Sequence, residues 1–199
     1  MNTHPIDTKL IARTTIITGD VNTGKTTLTG KLAERICTGL QHPAILVLDM
    51  APTIPENVQS GTISERISGF VTFASMHKAL VLKSGLVPPR LMGTSPSHTV
   101  ELAEQNRKKI DAWIKRIVTH PPFDLLVIND LSIYLQAGAC HGLEPLWCMA
   151  STVIANGYMG GSLGKGRLSA HEQAEMRTVC EHFHQRIHLE KAWWEASRE

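Results

Sequence analysis

No apolar run in this sequence approaches the roughly 18 residues of a membrane-spanning helix. Its N-terminal stretch, MNTHPIDTKLIART, lacks the apolar centre of a secretory signal. A cytoplasmic protein with no membrane partner is therefore expected. No block of like charge is long enough to form an interaction tail, and the net charge is only +2, so nothing marks the chain for nucleic acid. The four cysteines, Cys37, Cys140, Cys148 and Cys180, include no C-x-x-C pair. With no secretory signal, free thiols are expected. Internal repeats and low-complexity tracts are absent too. What is present is ordinary globular material: 199 residues, 42% hydrophobic and 19% charged. That is enough for one domain with its own core.

Along the chain, β-branched TTIIT (14–18) reads as a buried strand. Leu28, Leu32, Ile36 and Leu40 then fall about four apart, one face of a helix with Gly39 near its end. AILVLDM (44–50) is a second buried strand. Strand, helix and strand predict a βαβ unit and a parallel sheet. Residues 51–94, punctuated by Pro52, Pro55, Pro88 and Pro89, form an irregular insertion that could hold a strand, a helix or both. A long helix follows, with Ser95 as N-cap, Pro96 at its first position, and an apolar stripe of Ala103, Ile110, Trp113, Ile114 and Ile117. Glu104 and Lys108 are spaced as an i,i+4 pair. DLLVIND (124–130) and STVIANGYMG (151–160) are further strands, with a short helix between them over LEPLWCMA. Ser169 and Glu172 are spaced as a capping box for a helix that buries Met176, Val179, Cys180 and Phe183. RIHLE supplies a last short strand. The expected fold is a single α/β domain spanning 1–199.

The chemistry sits in TTIITGDVNTGKTTLTGKL (14–32), where Gly19, Gly24, Lys25 and Thr26 fit G-x-x-x-x-G-K-[ST]. Chance gives this pattern in on the order of one chain in a hundred of this length, so context decides its weight. A buried strand leads in and a periodic helix leads out, as the motif requires. Glycines let the backbone turn so that successive N–H groups, here over Asn22, Thr23, Gly24, Lys25, Thr26 and Thr27, face one concavity. The helix N-terminus adds unpaired donors and partial positive charge. Lys25 would put its ammonium on β- and γ-phosphates, and Thr26 its hydroxyl on Mg²⁺.

The segment resembles the Walker A loop of the P-loop NTPases. That resemblance implies a three-layer fold around a mostly parallel sheet, a nucleoside triphosphate as ligand, and Mg²⁺. It also implies an acid ending a second buried strand and holding the metal directly or through water. Two strands offer one: AILVLD ends at Asp49, and LLVIND ends at Asn129–Asp130. In the superfamily the acid follows the apolar run at once; here Asn129 takes that slot, and one residue along a strand turns the side chain to the other face. Asp130 is placed ahead of Asp49 because strand ends splay and the following loop can redirect a side chain. No Asn-Lys-x-Asp guanine motif is present, which favours ATP over GTP. In layout, 14–32 with 124–156 is also similar to the ATP:corrinoid adenosyltransferases, with Asn129–Asp130 where that family has an acidic pair. TGDVNTGKTT resembles P-loops of small NTPases and of ATPases that serve metal-cofactor assembly as well.

Further candidates lie outside the motif. GYMGGSLGKGR (157–167) has five glycines beside Lys165 and Arg167. A loop of that length after a strand end is either a surface connector or a lid that brings a cation to the transferring phosphate. Cys180, His184 and His188 fall at i, i+4 and i+8, a metal-like spacing, although a core cysteine with exposed histidines accounts for it as well. Trp193 and Trp194 in the polar C-terminal stretch are candidates for a homo-oligomer contact. The expected protein is a P-loop enzyme that hydrolyses a nucleoside triphosphate or transfers a group from it to a small molecule. A nucleotide-dependent switch acting on a protein partner is the other class. The second substrate is expected over the strand C-termini, between 51–94 and 157–167.

Overall fold

The computed structural model describes residues 11–54, 69–83, 85–164 and 166–190. Lys165, Trp193 and Trp194 lie outside the described residues. Six strands form one sheet: β1 (Thr14–Gly19), β2 (Ile45–Asp49), β3 (Leu80–Leu82), β4 (Phe123–Asn129), β5 (Ala150–Tyr158) and β6 (Gln185–Leu189), in the order β3-β2-β4-β5-β1-β6. Every pairing is parallel. All C-terminal strand ends therefore open on one edge of the sheet, where ligands sit in such folds.

Parallel strands buried on both faces read as unbroken apolar runs, and alternate residues of each run feed opposite cores. Ile16, Leu46, Leu48, Leu126, Ile128 and Val153 pack on one side. That side is covered by α3 (Pro96–Ile117), α4 (Ser132–Leu135), α5 (Glu144–Trp147) and α6 (Arg167–Glu181). Ile17, Val47, Leu125, Val127 and Ile154 pack on the other, under α1 (Lys25–Gly39) and residues 71–73. The result is the three-layer α/β sandwich expected from the sequence. Among the described residues no helix is long and apolar enough to cross a membrane.

Several local expectations hold. Ser95 caps α3 by accepting the His98 N–H at 3.1 Å. Ala103, Ile110, Ile114 and Ile117 are its buried stripe. All four cysteines are free. The region 51–94 supplies the edge strand β3 and the short helix α2 (Pro89–Met92).

Others are corrected. The buried face of α1 is Thr29, Gly30, Ala33, Ile36 and Cys37: Ile36 of the expected stripe is buried, but Leu28, Leu32 and Leu40 are only partly so, and the face is turned by one position. The reason is a close approach. A Cβ on Gly30 would lie 2.4 Å from the Thr72 carbonyl oxygen, so only the small-residue face fits there. Glu104 pairs with Arg107 at i,i+3, not with Lys108. The Ser169–Glu172 capping box does not form: α6 begins three residues earlier, with Gly166 at its cap, and both side chains turn to Arg90 instead. Cys180 lies in the core, while His184 and His188 bond to Thr14 and Thr18. Among the described residues no three His, Cys, Asp or Glu side chains are grouped to hold a metal.

Candidate functional site: a glycine loop and helix N-terminus opening on a polar pocket

The loop between β1 and α1 folds as its glycines require. Asn22 (φ 59°) and Gly24 (φ 85°) take left-handed backbone, which turns the chain sharply into the helix. Gly19 is packed so closely that a Cβ there would lie 2.5 Å from the Leu189 carbonyl oxygen. The loop is braced internally: the Thr23 hydroxyl donates to the Asp20 carbonyl at 2.9 Å, and the Asp20 side chain accepts the Val21 N–H at 2.7 Å. The first amides of α1 have no partners within the helix, and Gly24, Lys25, Thr26 and Thr27 line a cavity of about 740 Å³. Unpartnered amides at a helix N-terminus facing a cavity are chemically suited to cradle an anion. Lys25 arches back over the loop and donates to the Asp20 carbonyl at 2.6 Å. Burial lowers its pKa, against the pull of Asp130 and Asp20. A half-buried ammonium held by one neutral carbonyl is poised to exchange that partner for a phosphate oxygen.

The two acids are placed differently. Asp49 is fully buried, and three donors occupy its carboxylate: the Val71 N–H at 2.9 Å, the Ala51 N–H at 3.2 Å and the Asn129 amide at 2.7 Å. It does not line the cavity. It acts through Asn129, whose Oδ1 accepts from the Thr26 hydroxyl at 3.2 Å and from Asn156 at 2.8 Å. The slot at the end of β4 is thus a neutral relay from Asp49 to Thr26. Asp130 solves the one-residue offset with its backbone. Its φ of 55° lies in the left-handed region, which aspartate tolerates better than most residues, and it lines the cavity with Lys25. Burial pushes its pKa up, while the Ser132 hydrogen bond (2.7 Å) and the charges of Lys25 and Arg90 pull it back.

Mg²⁺ takes oxygen donors, keeps several waters, and is commonly held by one or two carboxylates plus substrate phosphates. The Thr26 hydroxyl and the Asp130 carboxylate are donors of that kind beside the cradle, so the residues fit the ion. Bound there, it would neutralise phosphate charge.

No family model matches the chain, and no curated protein does. Among solved structures it is similar to the flagellar accessory protein FlaH from Methanocaldococcus jannaschii, at 11% identity and a TM-score of 0.46, covering 94% of this chain and 78% of that one. It is also similar to the Hef helicase domain of Pyrococcus furiosus, at 14% identity and a TM-score of 0.41, covering 89% of this chain and 35% of that one. The parallel sheet and the cradle stand on their own geometry.

Beyond the cradle the cavity continues inward between α2, α4 and α6. Arg90 of α2 enters it and is clasped by Glu172 at 2.5 Å and by Ser169 at 3.1 Å. Glu172 is only 1% exposed, and burial raises its pKa against the influence of Arg90. Sequence reading missed Arg90 because it lies in the insertion with no pattern around it; the double proline before it was the one local signal. Arg167 starts α6, is exposed, and does not line the cavity. The loop before α6 is tied to the cradle. Ser162 donates to Asp20 at 2.6 Å, the Met159 N–H donates to the Gly19 carbonyl at 3.0 Å, and Gly160 packs on Asp20 so tightly that a Cβ would lie 2.5 Å from its carboxyl carbon. Arg90→Ala is expected to lower stability by about 3 kcal/mol, since it leaves Glu172 buried and unpaired. Pairing it with Glu172→Gln should restore most of the loss. Denaturant melts of the single and double variants check this; a single variant as stable as wild type would show the ion pair to be inert.

Proposed function

We propose that this chain binds a Mg²⁺-nucleoside triphosphate, ATP in preference to GTP, and hydrolyses it or transfers a group from it to a small molecule. The observation that carries the reading is the Gly19–Thr27 loop, folded as a cradle with Lys25 and Asp130 facing the same cavity. In this reading the backbone amides and Lys25 hold the β- and γ-phosphates, Thr26 and Asp130 orient the metal, and Asn129 keeps the Thr26 hydroxyl in place.

Transfer to a small molecule is favoured over a switch acting on a protein partner by the polar inner half of the cavity. It is lined by segments from both 51–94 and 157–167, among them Arg90 and Leu163. A switch needs no such pocket. An adenosyl transfer would be one version of this chemistry. The test is a thermal-shift titration with ATP, GTP and their non-hydrolysable analogues, with and without Mg²⁺. At a hundred times Kd, a ligand should stabilise the fold by about 2.7 kcal/mol. A flat response to every triphosphate would remove the proposal.

A further inference from the structure

Gln136 lies just past α4, is 5% exposed, and lines the inner half of the cavity. Its amide nitrogen donates to Glu172 Oε1 at 3.3 Å, which fixes the orientation of the amide, because the reverse would set two oxygens face to face. Its Oε1 is buried and has no hydrogen-bond partner. A buried carbonyl oxygen left unmatched costs free energy comparable to a lost hydrogen bond, so the position is expensive unless a ligand uses it.

The neighbours define what kind of ligand. Asp130 and Glu172 bring two carboxylates to this half of the cavity. Among the described residues, Arg90 is the cation that meets Glu172, and it is already committed to Glu172 and Ser169. Ser132 is also occupied, donating to Asp130 and accepting the Tyr158 N–H at 3.2 Å. Around Gln136 the described hydrogen-bond acceptors are therefore in surplus, while Ile133, Leu91 and Pro89 supply apolar wall. An anionic group would have to approach two carboxylates with Arg90 already engaged. A donor group meets an open acceptor.

We propose that the inner half of the cavity is the second-substrate subsite, and that it takes a small molecule through a neutral or cationic hydrogen-bond donor, an amine or a hydroxyl, seated on Gln136 Oε1. The subsite rests on the reading of the outer half as a triphosphate cradle, which leaves Lys25 engaged by phosphate and the inner charges as described. Asp130 flanks both halves and so faces the donor group as well as the metal.

The test follows the Gln136 side-chain amide resonance of the full chain by NMR, with Mg²⁺ and ADP present. Benzylamine, benzyl alcohol and benzoate are titrated as matched probes up to their solubility limits. Benzylamine and benzyl alcohol are expected to move the resonance and benzoate to leave it in place. In Gln136→Met, which keeps the volume without the acceptor, benzylamine should bind about tenfold more weakly or worse, as loss of a charge-assisted hydrogen bond requires. Benzoate binding as well as benzylamine would overturn the proposal in favour of an anion on Arg90. So would unchanged benzylamine affinity in Gln136→Met, or no response to any probe. Calorimetric titration of Mg–ATP into the wild-type protein separates the two readings. ATP binding without amine binding sinks the subsite alone. Amine selectivity without ATP binding sinks the cradle.

Discussion

Lys25→Ala is expected to weaken Mg–ATP binding by about a hundredfold and to abolish turnover, with the fold intact. Two charge-assisted hydrogen bonds to phosphate, at about 1.5 kcal/mol each, account for that factor. The fold should survive because, among the described residues, the Lys25 ammonium hydrogen-bonds one loop carbonyl, that of Asp20. Its lowered pKa points the same way. A base whose folded pKa is depressed adds stability above its unfolded value and loses it as pH falls through the folded value, so the buried ammonium is a cost when charged. Calorimetry with Mg–ATP and thermal melts of the free variant check both halves. Unchanged affinity would end the P-loop assignment; a collapsed melt would make Lys25 a structural residue.

Asp130→Asn and Asp49→Asn are expected to fail in opposite ways. Asp130→Asn should lose Mg²⁺-dependent turnover by about a hundredfold or more, on the scale of a removed electrostatic catalytic group, yet melt no lower than wild type. Its Oδ1 can still accept from Ser132, and the buried charge is gone. The sign follows from its raised pKa. An acid whose folded pKa is raised contributes stability that is complete below its unfolded value and is lost as pH rises through the folded one. Wild type should therefore lose stability across that interval, and the Asn variant should lose less of it. Asp49→Asn places an NH₂ against groups that now donate to a carboxylate. It should lower stability by about 2 kcal/mol, while the Mg²⁺ dependence of any remaining turnover is kept. Melts from pH 4 to 8 (a range of about that width brackets shifted carboxylates) and Mg²⁺ titrations of turnover distinguish them. A stable Asp49→Asn that no longer responds to Mg²⁺ would move the metal acid to β2.

Most of the frame was legible because it depends on local pattern. The β-branched or apolar runs within 14–18, 44–50 and 124–130 are best satisfied in a sheet covered on both faces, and the structure covers them so. The tight turn from β1 into α1 was legible because its glycines answer to backbone geometry within the loop itself. The α1 face was misjudged by one position because hydrophobicity alone does not register a close backbone contact at Gly30. The capping box failed because a buried ion pair with Arg90 engages the same Ser169 and Glu172 side chains that a local cap would use.

The parallel α/β frame, the glycine turn between β1 and α1 and the two candidate acids at strand ends could all be read from contiguous residues, since strand burial, turn geometry and helix start are local properties. Only tertiary structure decided which acid faces the cavity. A left-handed backbone at Asp130 and a ring of donors around Asp49 are consequences of how β2, β4 and the 69–71 segment meet. Only tertiary structure, too, brought Arg90, Gln136 and Glu172 together. They come from three helical segments separated by up to 82 positions, and charge, burial and an unmatched oxygen become chemistry only when such distant residues share one enclosed space.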